Sequence, residues 1–472
     1  MSMSRRAVLL GGGVAAAAVA IPVGSHLVWR SKEFQRPDFN PDWPTAPAGE
    51  RSWMNWSGIE RATPKQIAAP TSVDEIIEVL KSSPAPIRAV GSGHSFSALV
   101  PSEGTILDIG AIAGLQKYDI AAQTASFGAG TRLQHAARAL SEHGLGFENM
   151  PDIDIPTFAG ACSTGTHGTG YDMTAIHDYV EGFQLITASG EIKEVSRSSD
   201  PDLFAAGKVS LGALGIITRY DLKVSKEVNL RRKVTVLPIG ELLEQFEDNF
   251  KKHRNFEFYY LPNTGMAATI VLDLHEGEIT GRAPTQDDDT LEQLQSLRDN
   301  FGWAPWLRSK IAQSALKPGV FEDESDKSWK LLSTARPTKF NEMEYHIPLD
   351  EGLKAVRKVI EMADARNFFF FPIEVRVTAP DDAWLSPFND GRRVSISIHA
   401  ARNEEYDYFF SDFEPMFLET GGRPHWGKLH SLEARQLAGI YPKFEQFAEL
   451  RRDLDPGGKF ATPYMRKIWG IA

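Results

Sequence analysis

The chain has 472 residues, of which 42% are hydrophobic and 24% charged, with 39 Gly and 28 Pro. This composition argues against a disordered or fibrous protein, and the length predicts two domains because one hydrophobic core stops growing at about 250–300 residues. The formal net charge is −11, without a long basic cluster beyond the N-terminus, so no nucleic-acid partner is expected.

The first 30 residues have the order of regions that an export signal requires. Arg5-Arg6 precedes an apolar Gly/Ala-rich stretch that reaches Val23, and Ala18-Val19-Ala20 is a candidate small-residue cleavage site. Residues 1–30 resemble a twin-arginine signal, with retention as a membrane anchor and a disordered tail as alternatives. We therefore expect contact with export machinery and a periplasmic or otherwise exported protein.

The next segments predict an arm and a first domain. Residues 31–52 are rich in Pro and charge and predict a linker or arm, and residues 53–225 predict the first domain. Helices are predicted from Thr71 through Leu80, where a capping box precedes spaced apolar residues, and over Thr131–His143. Short strands are predicted at Ile87–Val90, Thr105–Ile109, Gln123–Phe127, Tyr179–Val195 and Gly215–Val224.

The second half, residues 226–472, is richer in aromatic strand patterns than the first half, which predicts a separate domain. Aromatic strands are predicted at Phe256–Tyr260 and Phe368–Phe371, and a helix at Leu291–Phe301. Between them, Gly277–Asp289 predicts a solvated surface excursion. The single cysteine, Cys162, excludes an intrachain disulfide.

A first glycine-rich loop follows the strand that ends at Val90. Its glycines allow close approach of backbone N–H groups to an anion, and its serines add donors, which suits a pyrophosphate. Phe96 stands where a Rossmann fingerprint needs a third small residue, so a nicotinamide site is a poor match. The candidate cofactor-binding residues are Gly91, Ser92, Gly93, His94 and Ser95.

A second loop, Ala159–Gly170, contains four glycines and several hydroxyl groups in twelve residues. It has little side chain to bury and much backbone to present, which favours contact with a ligand over core packing. A sharp surface turn is the alternative, but it does not account for both loops. The candidates here are Ser163, Thr164, Gly165, Thr166, His167 and Gly168.

These loops resemble the FAD domain of the vanillyl-alcohol-oxidase type (PCMH-type) flavoproteins, and within them the sugar-lactone and alditol oxidases. The resemblance includes the downstream segment Val209–Ile217, where it makes Gly212, Gly215 and Ile217 cofactor-binding candidates. It continues through Asn55–Gly58, Glu342–Tyr345, Glu374–Arg376, His425–Lys428 and Leu454–Phe460. It implies an α+β fold with an N-terminal FAD domain and a C-terminal substrate domain that covers the flavin ring. It also implies that FAD is linked covalently through the histidine at the place of His94.

Flavin-dependent alcohol oxidation needs a cation near the flavin and polar groups that orient the substrate hydroxyl. Glu374 and Arg376 are two residues apart on a strand and share a face, and the apolar run before them predicts burial. A surface salt bridge is the commoner explanation of such a pair, but in the resembled oxidases it contacts substrate and flavin.

Three further residues are candidates for the substrate site. The resemblance makes Lys428 a second cation, although a surface lysine beside a turn has the same local pattern. His399, in an alternating stretch, is a candidate for orienting a polyol, and a buried structural histidine is about as common. Thr157 stands where an alditol oxidase has a substrate-contacting serine, which keeps the hydroxyl group and adds a methyl group.

Two other classes of chemistry lack their motifs. The 12 histidines form no His-Glu-x-x-His pattern, so no metal site is expected. Gly91-Ser92-Gly93 is one residue too short for the nucleophile elbow of a serine hydrolase.

The resemblance implies an FAD-dependent oxidoreductase that oxidises an alcohol group of a sugar-1,4-lactone, such as D-arabinono-1,4-lactone, with O2 as acceptor and H2O2 as product. The alternatives are an alditol (polyol) oxidase and a lactone dehydrogenase that uses a respiratory electron carrier. A flavin- or sugar-binding protein without turnover is a further alternative. The presence of Glu374, Arg376 and Lys428 together argues against it.

Overall fold

The computed structural model describes residues 22–36, 52–284 and 287–471. Residues 1–21, which hold the predicted signal motif, and residues 37–51 of the predicted arm lie outside this part. The helices are α1 (22–30), α2 (Val73–Ser82), α3 (Leu133–Ser141), α4 (Phe158–Thr164), α5 (Pro201–Gly207), α6 (Ile239–Glu244), α7 (Phe246–Lys252), α8 (Asp287–Phe301), α9 (Pro305–Ala315), α10 (Ser328–Leu331), α11 (Leu349–Asp364), α12 (Glu414–Glu419), α13 (Ala434–Ile440), α14 (Phe444–Leu454) and α15 (Pro463–Trp469).

The strands are β1 (Trp53–Met54), β2 (Arg61–Ala62), β3 (Gln66–Ala68), β4 (Ile87–Val90), β5 (Thr105–Asp108), β6 (Leu115–Asp119), β7 (Thr124–Gly128), β8 (Leu145–Gly146), β9 (Val180–Ile186), β10 (Ile192–Ser196), β11 (Ile216–Lys223), β12 (Ser225–Lys226), β13 (Asn229–Pro238), β14 (Asn255–Leu261), β15 (Met266–Leu274), β16 (Gly319–Lys327), β17 (Phe340–Pro348), β18 (Ile373–Thr378), β19 (Arg393–Ala401) and β20 (Arg423–Pro424). A 3₁₀ turn spans Ile176–Tyr179 and a π-helical turn spans Phe409–Phe413.

The first half of the chain forms two main sheets. A parallel sheet has the order β3-β5-β4, and an antiparallel sheet has the order β10-β9-β11-β7-β6. The helix cap predicted before α2 is present in part: the Ser72 side chain accepts from Glu75 N, but the Glu75 carboxylate accepts from Thr71 N, one residue before the N-cap, whereas a capping box uses the N–H of the N-cap residue. The stretch predicted as strand from Tyr179 to Val195 is a hairpin of β9 and β10.

The second half is dominated by an eight-stranded antiparallel sheet with the order β16-β13-β15-β14-β18-β19-β17-β20. Apolar side chains alternate with polar ones along its central strands, so one face is apolar and the other polar. Helices α6, α7 and α11 pack their buried residues against the apolar face. The polar face is thereby left for the site.

The hydrophobic cores do not follow the chain order strictly. Buried side chains of α13, α14 and α15 belong to the same apolar cluster as those of α2, α3 and α5. The end of the chain therefore packs on the first half of the molecule. The predicted boundaries at residues 225 and 226 stay a prediction.

One predicted strand is wrong. Phe368–Phe371 is a loop before β18, and Arg308 donates to the carbonyl groups of Asn367 and Phe369 over 2.9 Å each. These carbonyl groups are thus bound by an arginine side chain instead of a neighbouring strand. Phe369 is buried in one apolar cluster and Phe370 and Phe371 in another, which explains the hydrophobicity of the run.

The described part of the predicted leader packs as a helix on the second half of the molecule. Trp29 is 6% exposed, and its Nε1 donates to the carbonyl oxygen of Arg298 over 3.0 Å. Gly302 leaves room for the ring, because a Cβ atom there would lie 1.9 Å from it. Within residues 22–36, 52–284 and 287–471, the helices lack the length and apolarity that a membrane span requires.

Candidate active site

A cavity of about 450 Å³ separates the glycine-rich loops from the polar face of the eight-stranded sheet. Almost all the residues predicted for cofactor, substrate or catalysis line it. They are Gly91, Ser92, Gly93, His94, Ser95, Thr157, Ser163, Thr164, Thr166, His167, Gly212, Gly215, Ile217, Glu374, Arg376, His399 and Lys428.

Two predicted cofactor residues, Gly165 and Gly168, are not in the lining. Gly165 ends α4 with a φ of 75°, a conformation that glycine adopts without strain, and it faces Pro387. A Cβ atom at Gly168 would lie 2.2 Å from the carbonyl oxygen of Met150. Backbone packing explains both glycines.

Close backbone packing shapes the first glycine loop. A Cβ atom at Gly91 would lie 2.0 Å from Thr157 Oγ1, so only glycine allows the loop to pass this side chain. The Ser92 hydroxyl donates to the carbonyl oxygen of Ile155 over 2.7 Å. Thr157 also caps α4, because its hydroxyl accepts from Gly160 N over 3.3 Å. The predicted substrate-contacting threonine therefore has a structural role as well.

His94 reaches the cavity beside a tryptophan. Its ring is stacked on Trp56, with centroids 5.3 Å apart. Burial and the nearby positive charge of Lys428 lower the pKa of His94 to about 4. The imidazole is therefore neutral at physiological pH, the form in which a ring nitrogen has a free lone pair.

Arg88 holds the glycine segments together, a role that sequence reasoning missed. From β4 its guanidinium donates to the carbonyl oxygens of Leu99 (2.7 Å), Leu211 (2.5 Å), Gly212 (2.9 Å) and Phe460 (3.3 Å). Burial lowers its pKa to about 10, so it remains charged at neutral pH. The position of Arg88, a charged residue in a short apolar strand just before a glycine loop, was the sequence feature that could have indicated this role.

The opposite wall of the cavity belongs to the polar face of the sheet. Cross-strand pairs place Tyr259 against Glu374, Glu374 against Ser397, and His399 against Glu342. The polar side chains of this face on β14, β18, β19 and β17 are Glu257, Tyr259, Glu374, Arg376, Thr378, Ser395, Ser397, His399, Glu342, Glu344 and His346.

Arg376 lies between two carboxylates in this wall. Its Nη2 donates to Glu344 Oε1 over 2.8 Å, and its Nε lies 3.3 Å from Glu374 Oε1. His167 Nε2, from the second glycine loop, is 2.9 Å from the same Glu344 oxygen. Burial alone would raise the pKa of Glu344, but Arg376 and His167 hold it well below its usual range. This cluster joins the two walls of the cavity.

Glu374 has a second set of partners. The Tyr259 hydroxyl donates to Glu374 Oε1 over 2.8 Å and lies 3.3 Å from Asp152 Oδ2. Arg336 donates to the Tyr259 oxygen over 2.8 Å and forms an ion pair with Asp152. Asp152 and Arg336 also line the cavity, so carboxylates and cations alternate around Glu374.

Lys428 and His399 meet at a third carboxylate. Lys428 forms an ion pair with Glu342, and His399 Nε2 lies 3.7 Å from Glu342 Oε1. The Lys428 ammonium is also 5.0 Å from the centroid of the Phe96 ring in the first loop. Burial is the largest cause that lowers the pKa of His399, so its ring is neutral at pH 7.

Glu342 and Glu344 lie in one of the segments that carry the resemblance, but the sequence did not predict a role for them. The sequence pattern that indicates their position is alternation along one strand. Glu342, Glu344 and His346 alternate with Met343, Tyr345 and Ile347, which are buried in the apolar cluster. Alternation identifies the polar face of a strand. It does not identify the cations that these carboxylates contact, because the neighbouring strands are far away in sequence.

Three sets of carboxyl and imidazole groups come close enough to hold a metal ion in the described residues. They are His167/Glu344/His346, Glu342/Glu374/His399 and Asp152/Glu257/Glu374. Each set already contacts Arg376, Lys428 or Arg336, and such a positive side chain opposes the binding of a further cation.

Comparison with known proteins adds the family. The sequence profile of a family described as D-arabinono-1,4-lactone oxidase matches residues 220–468, more than half of the chain. The chain belongs to this family. A second profile, described as an FAD binding domain, matches residues 64–196. The predicted resemblance is confirmed, and so is the prediction of an FAD-dependent oxidoreductase.

Relatives of this family are similar over nearly the whole chain. L-gulono-1,4-lactone dehydrogenase of Mycobacterium tuberculosis is 30% identical over 89% of this chain and 99% of its own length. D-arabinono-1,4-lactone oxidase of Saccharomyces cerevisiae is 27% identical, with coverage of 89% and 96%. Alditol oxidase of a Streptomyces species is 26% identical, with coverage of 88% and 98%.

Solved structures support the fold. A solvent-stable cholesterol oxidase superposes with a TM-score of 0.73 at 18% identity, covering 90% of this chain and 99% of that one. Cholesterol oxidase from B. sterolicum gives 0.71 at 14% identity, with coverage of 90% and 98%. At such identities the likeness concerns the fold alone, and it confirms the predicted two-domain α+β flavoprotein architecture.

The residues in the cavity suit FAD. Four buried polar atoms on the sheet face lack a hydrogen-bond partner among the described residues: Glu344 Oε2, His346 Nε2, Arg376 Nε and Ser397 Oγ. Glu344 and Arg376 line the cavity, and since buried polar atoms are normally paired, a polar ring there would supply the missing partners of these two residues. The opposite loops present glycine backbone and hydroxyl groups, which suit phosphates.

Proposed function

We propose that the protein oxidises an alcohol group of a sugar-1,4-lactone, of the D-arabinono-1,4-lactone kind, with O2 as acceptor and H2O2 as product. The observation that carries the proposal is the placement of Arg376 between Glu344 and Glu374, in a cavity wall that faces the glycine loops. The family match over residues 220–468 supports a lactone as the substrate class.

Each polar side chain of the cavity has a separate role in the proposed oxidation. FAD held between the glycine loops and the sheet wall would supply the acceptor for the hydride of the alcohol carbon. Glu374 accepts the proton of the substrate hydroxyl, so that the O–H bond of the substrate breaks as one forms on the carboxylate. Arg376 and Lys428 stabilise the negative charge that develops on the substrate oxygen. Neutral His399 forms a hydrogen bond to a second hydroxyl group, and Thr157 contacts the sugar from the loop side.

The test is reduction of the bound flavin by substrate without O2. Purified protein is mixed anaerobically with sugar-1,4-lactones and with alditols, and the loss of flavin absorbance is followed. Bleaching by lactones at lower concentration than by alditols supports the proposal. Bleaching by alditols alone favours an alditol oxidase, and no bleaching by either class contradicts an alcohol oxidase.

A lactone dehydrogenase is the second candidate, favoured by the relative of that name in Mycobacterium tuberculosis. The two activities differ only in what reoxidises the flavin. After reduction by lactone, O2 or an artificial electron carrier is added and the return of absorbance is timed. Fast return with O2 and one H2O2 per flavin supports the oxidase, and fast return with the carrier alone supports the dehydrogenase.

We further propose that His94 carries the flavin covalently. Its neutral imidazole, its place in the cavity and its contact with Trp56 support this role. Acid precipitation should leave a yellow pellet for the wild type and a colourless pellet for His94→Ala. His430→Gln is the matched control, because His430 is buried with a pKa of about 4 and does not line the cavity. A yellow His94→Ala pellet would exclude this tether.

We also propose that residues 1–30 direct export, with the segment either cleaved or kept as an anchor. The order of Arg5-Arg6, an apolar stretch and small residues supports the proposal. Replacing Arg5 and Arg6 with lysine should keep the flavoprotein inside the cell, whereas Arg30→Lys should not. Fractionation of cells and flavin absorbance of each fraction measure the outcome. Equal export of both variants would contradict a twin-arginine signal.

A further inference from the structure

A second, much smaller cavity adjoins the site. Its volume is about 20 Å³, which accommodates one water molecule, and it shares Asp152 and Thr334 with the larger cavity. Glu257 of β14 lines the small cavity but not the large one. A polar compartment thus lies next to the reacting groups and outside the space proposed for substrate.

Three carboxyl groups meet where the two cavities join. Oxygen atoms of Asp152, Glu257 and Glu374 lie within 4.8 Å of one another. The Tyr259 hydroxyl connects two of them, at 2.8 Å from Glu374 and 3.3 Å from Asp152. Carboxylates this close share protons, because the negative charge of one opposes ionisation of the next.

Glu257 is the member of this cluster that is best placed to hold a proton. It is 6% exposed and makes no hydrogen bond to another described residue. Burial, followed by the charges of Asp152 and Glu374, raises its pKa well above the usual range, although Arg376 and Arg336 oppose the shift. The surroundings of Glu257 therefore favour its protonated form.

We propose that Glu257 is a proton store that clears Glu374 after each turnover. The proton that Glu374 has taken from substrate passes to the Tyr259 oxygen as the Tyr259 hydroxyl gives its own proton to Asp152. Protonated Asp152 then lies beside Glu257, with oxygen atoms of the two groups within 4.8 Å of one another. One of these two carboxyl groups releases its proton to water in the small cavity. Glu257 acts through Glu374 and is a positioning residue. This inference rests on the proposed alcohol oxidation.

The kinetic test compares Glu257→Gln with a matched buried carboxyl. Glu414 is 3% exposed, accepts from the Tyr345 hydroxyl over 2.6 Å, and has no contact with the cavity. Glu257→Gln should retain bound flavin and KM, and its first anaerobic flavin reduction should keep the wild-type rate. Its steady-state turnover should be at least tenfold slower, with a larger solvent isotope effect in D2O. Glu257→Asp should recover much of the rate, and Glu414→Gln should retain it.

A second readout needs no turnover. Infrared spectra of the flavin-loaded protein at pH 7 report the C=O stretch of protonated carboxyl groups. Loss of one such band in Glu257→Gln, and its survival in Glu414→Gln, supports the proton store. An unchanged band or an unchanged steady-state turnover rate in Glu257→Gln would overturn it. Failure of wild-type flavin to bleach with any lactone or polyol would instead overturn the proposed function, while the infrared band still reports on Glu257.

Discussion

The two walls of the cavity are built on opposite principles. The loop wall consists of backbone and small side chains, and its shape depends on atoms that approach as closely as Gly91 and Thr157. The sheet wall consists of charged side chains on adjacent strands that neutralise one another, as Arg376 does for Glu344 and Glu374. The loop wall should therefore be sensitive to added volume and the sheet wall to lost charge.

The largest effect is expected when a charge is removed from the sheet wall. Arg376→Met keeps most of the side-chain length but removes the cation, and should slow flavin reduction by substrate about 10²–10³-fold. It also leaves two buried carboxylates without their partner, which costs about 3–5 kcal/mol of stability. Stopped-flow anaerobic reduction and urea unfolding measure the two effects.

Arg231→Met is the control for Arg376→Met, because Arg231 pairs with Asp323 in the same sheet but is exposed. It should change the reduction rate less than twofold. Equal rates for Arg376→Met and the wild type would remove Arg376 from the reaction.

Added volume is expected to act next most strongly, in the loop wall. Gly91→Ala places a methyl group against Thr157, and overpacking of this kind costs about 1–3 kcal/mol. The flavin content of the purified protein should fall, and the double variant Gly91→Ala/Thr157→Ala should regain part of it. Gly240→Ala is the control, since a Cβ atom there meets nothing within 4 Å. Full flavin content in Gly91→Ala would contradict a close-packed loop wall.

Two buried carboxyl groups with opposite pKa shifts, Glu344 and Glu60, predict opposite dependences of stability on pH. Glu344 has a lowered pKa in the fold, so the stability it adds is present above its ordinary pKa of 4.5 and is lost as the pH falls. Burial raises the pKa of Glu60 to about 7, so the stability from Glu60 is present below pH 4.5 and is lost as the pH rises to 7.

Urea unfolding of Glu344→Gln and Glu60→Gln between pH 3 and pH 8 tests this pair. The deficit of Glu344→Gln relative to wild type should shrink as the pH falls below 4.5. The stability of Glu60→Gln should rise relative to wild type between pH 4.5 and 7. Parallel curves for either variant would contradict its assigned shift.

The smallest effect is expected for the cap of α4. Thr157→Val keeps the shape of the side chain and removes the acceptor for Gly160 N, at a cost of about 1 kcal/mol. Thr462→Val removes the same kind of cap from α15, away from the cavity. Both variants should lose similar stability, and only Thr157→Val should raise KM. A KM unchanged in Thr157→Val would leave Thr157 with its capping role alone.

The difference between the walls also explains what the sequence predicted. The loop wall is continuous in the chain, so the glycine runs at residues 91–95 and 163–168 identified it directly. Local pattern did not separate the glycines that line the cavity from Gly165 and Gly168, because close packing against backbone also requires glycine.

The sheet wall was predicted only in part. Glu374 and Arg376 were found because they are neighbours on one strand, and Lys428 because of family resemblance. The carboxylates that hold these cations, Glu344 and Glu342, come from another strand, and pairing over such distances in the chain leaves no local signal. The run Phe368–Phe371 failed as a strand for a related reason, since Arg308 binds its backbone from a distant helix.

The contacts of Arg88 determine at which stage of synthesis the cofactor pocket has all of its supporting residues. This side chain joins a strand near residue 90 to Gly212 and to Phe460, and the Ile87 N–H donates to the carbonyl oxygen of Lys459 over 2.8 Å. In the same way, Phe96 N donates to the carbonyl oxygen of Gly427. The loop that emerges early from the ribosome thus obtains some of its supports from residues synthesised much later, such as Phe460, 372 positions after Arg88. The contacts around the pocket are therefore complete only after translation has passed Phe460.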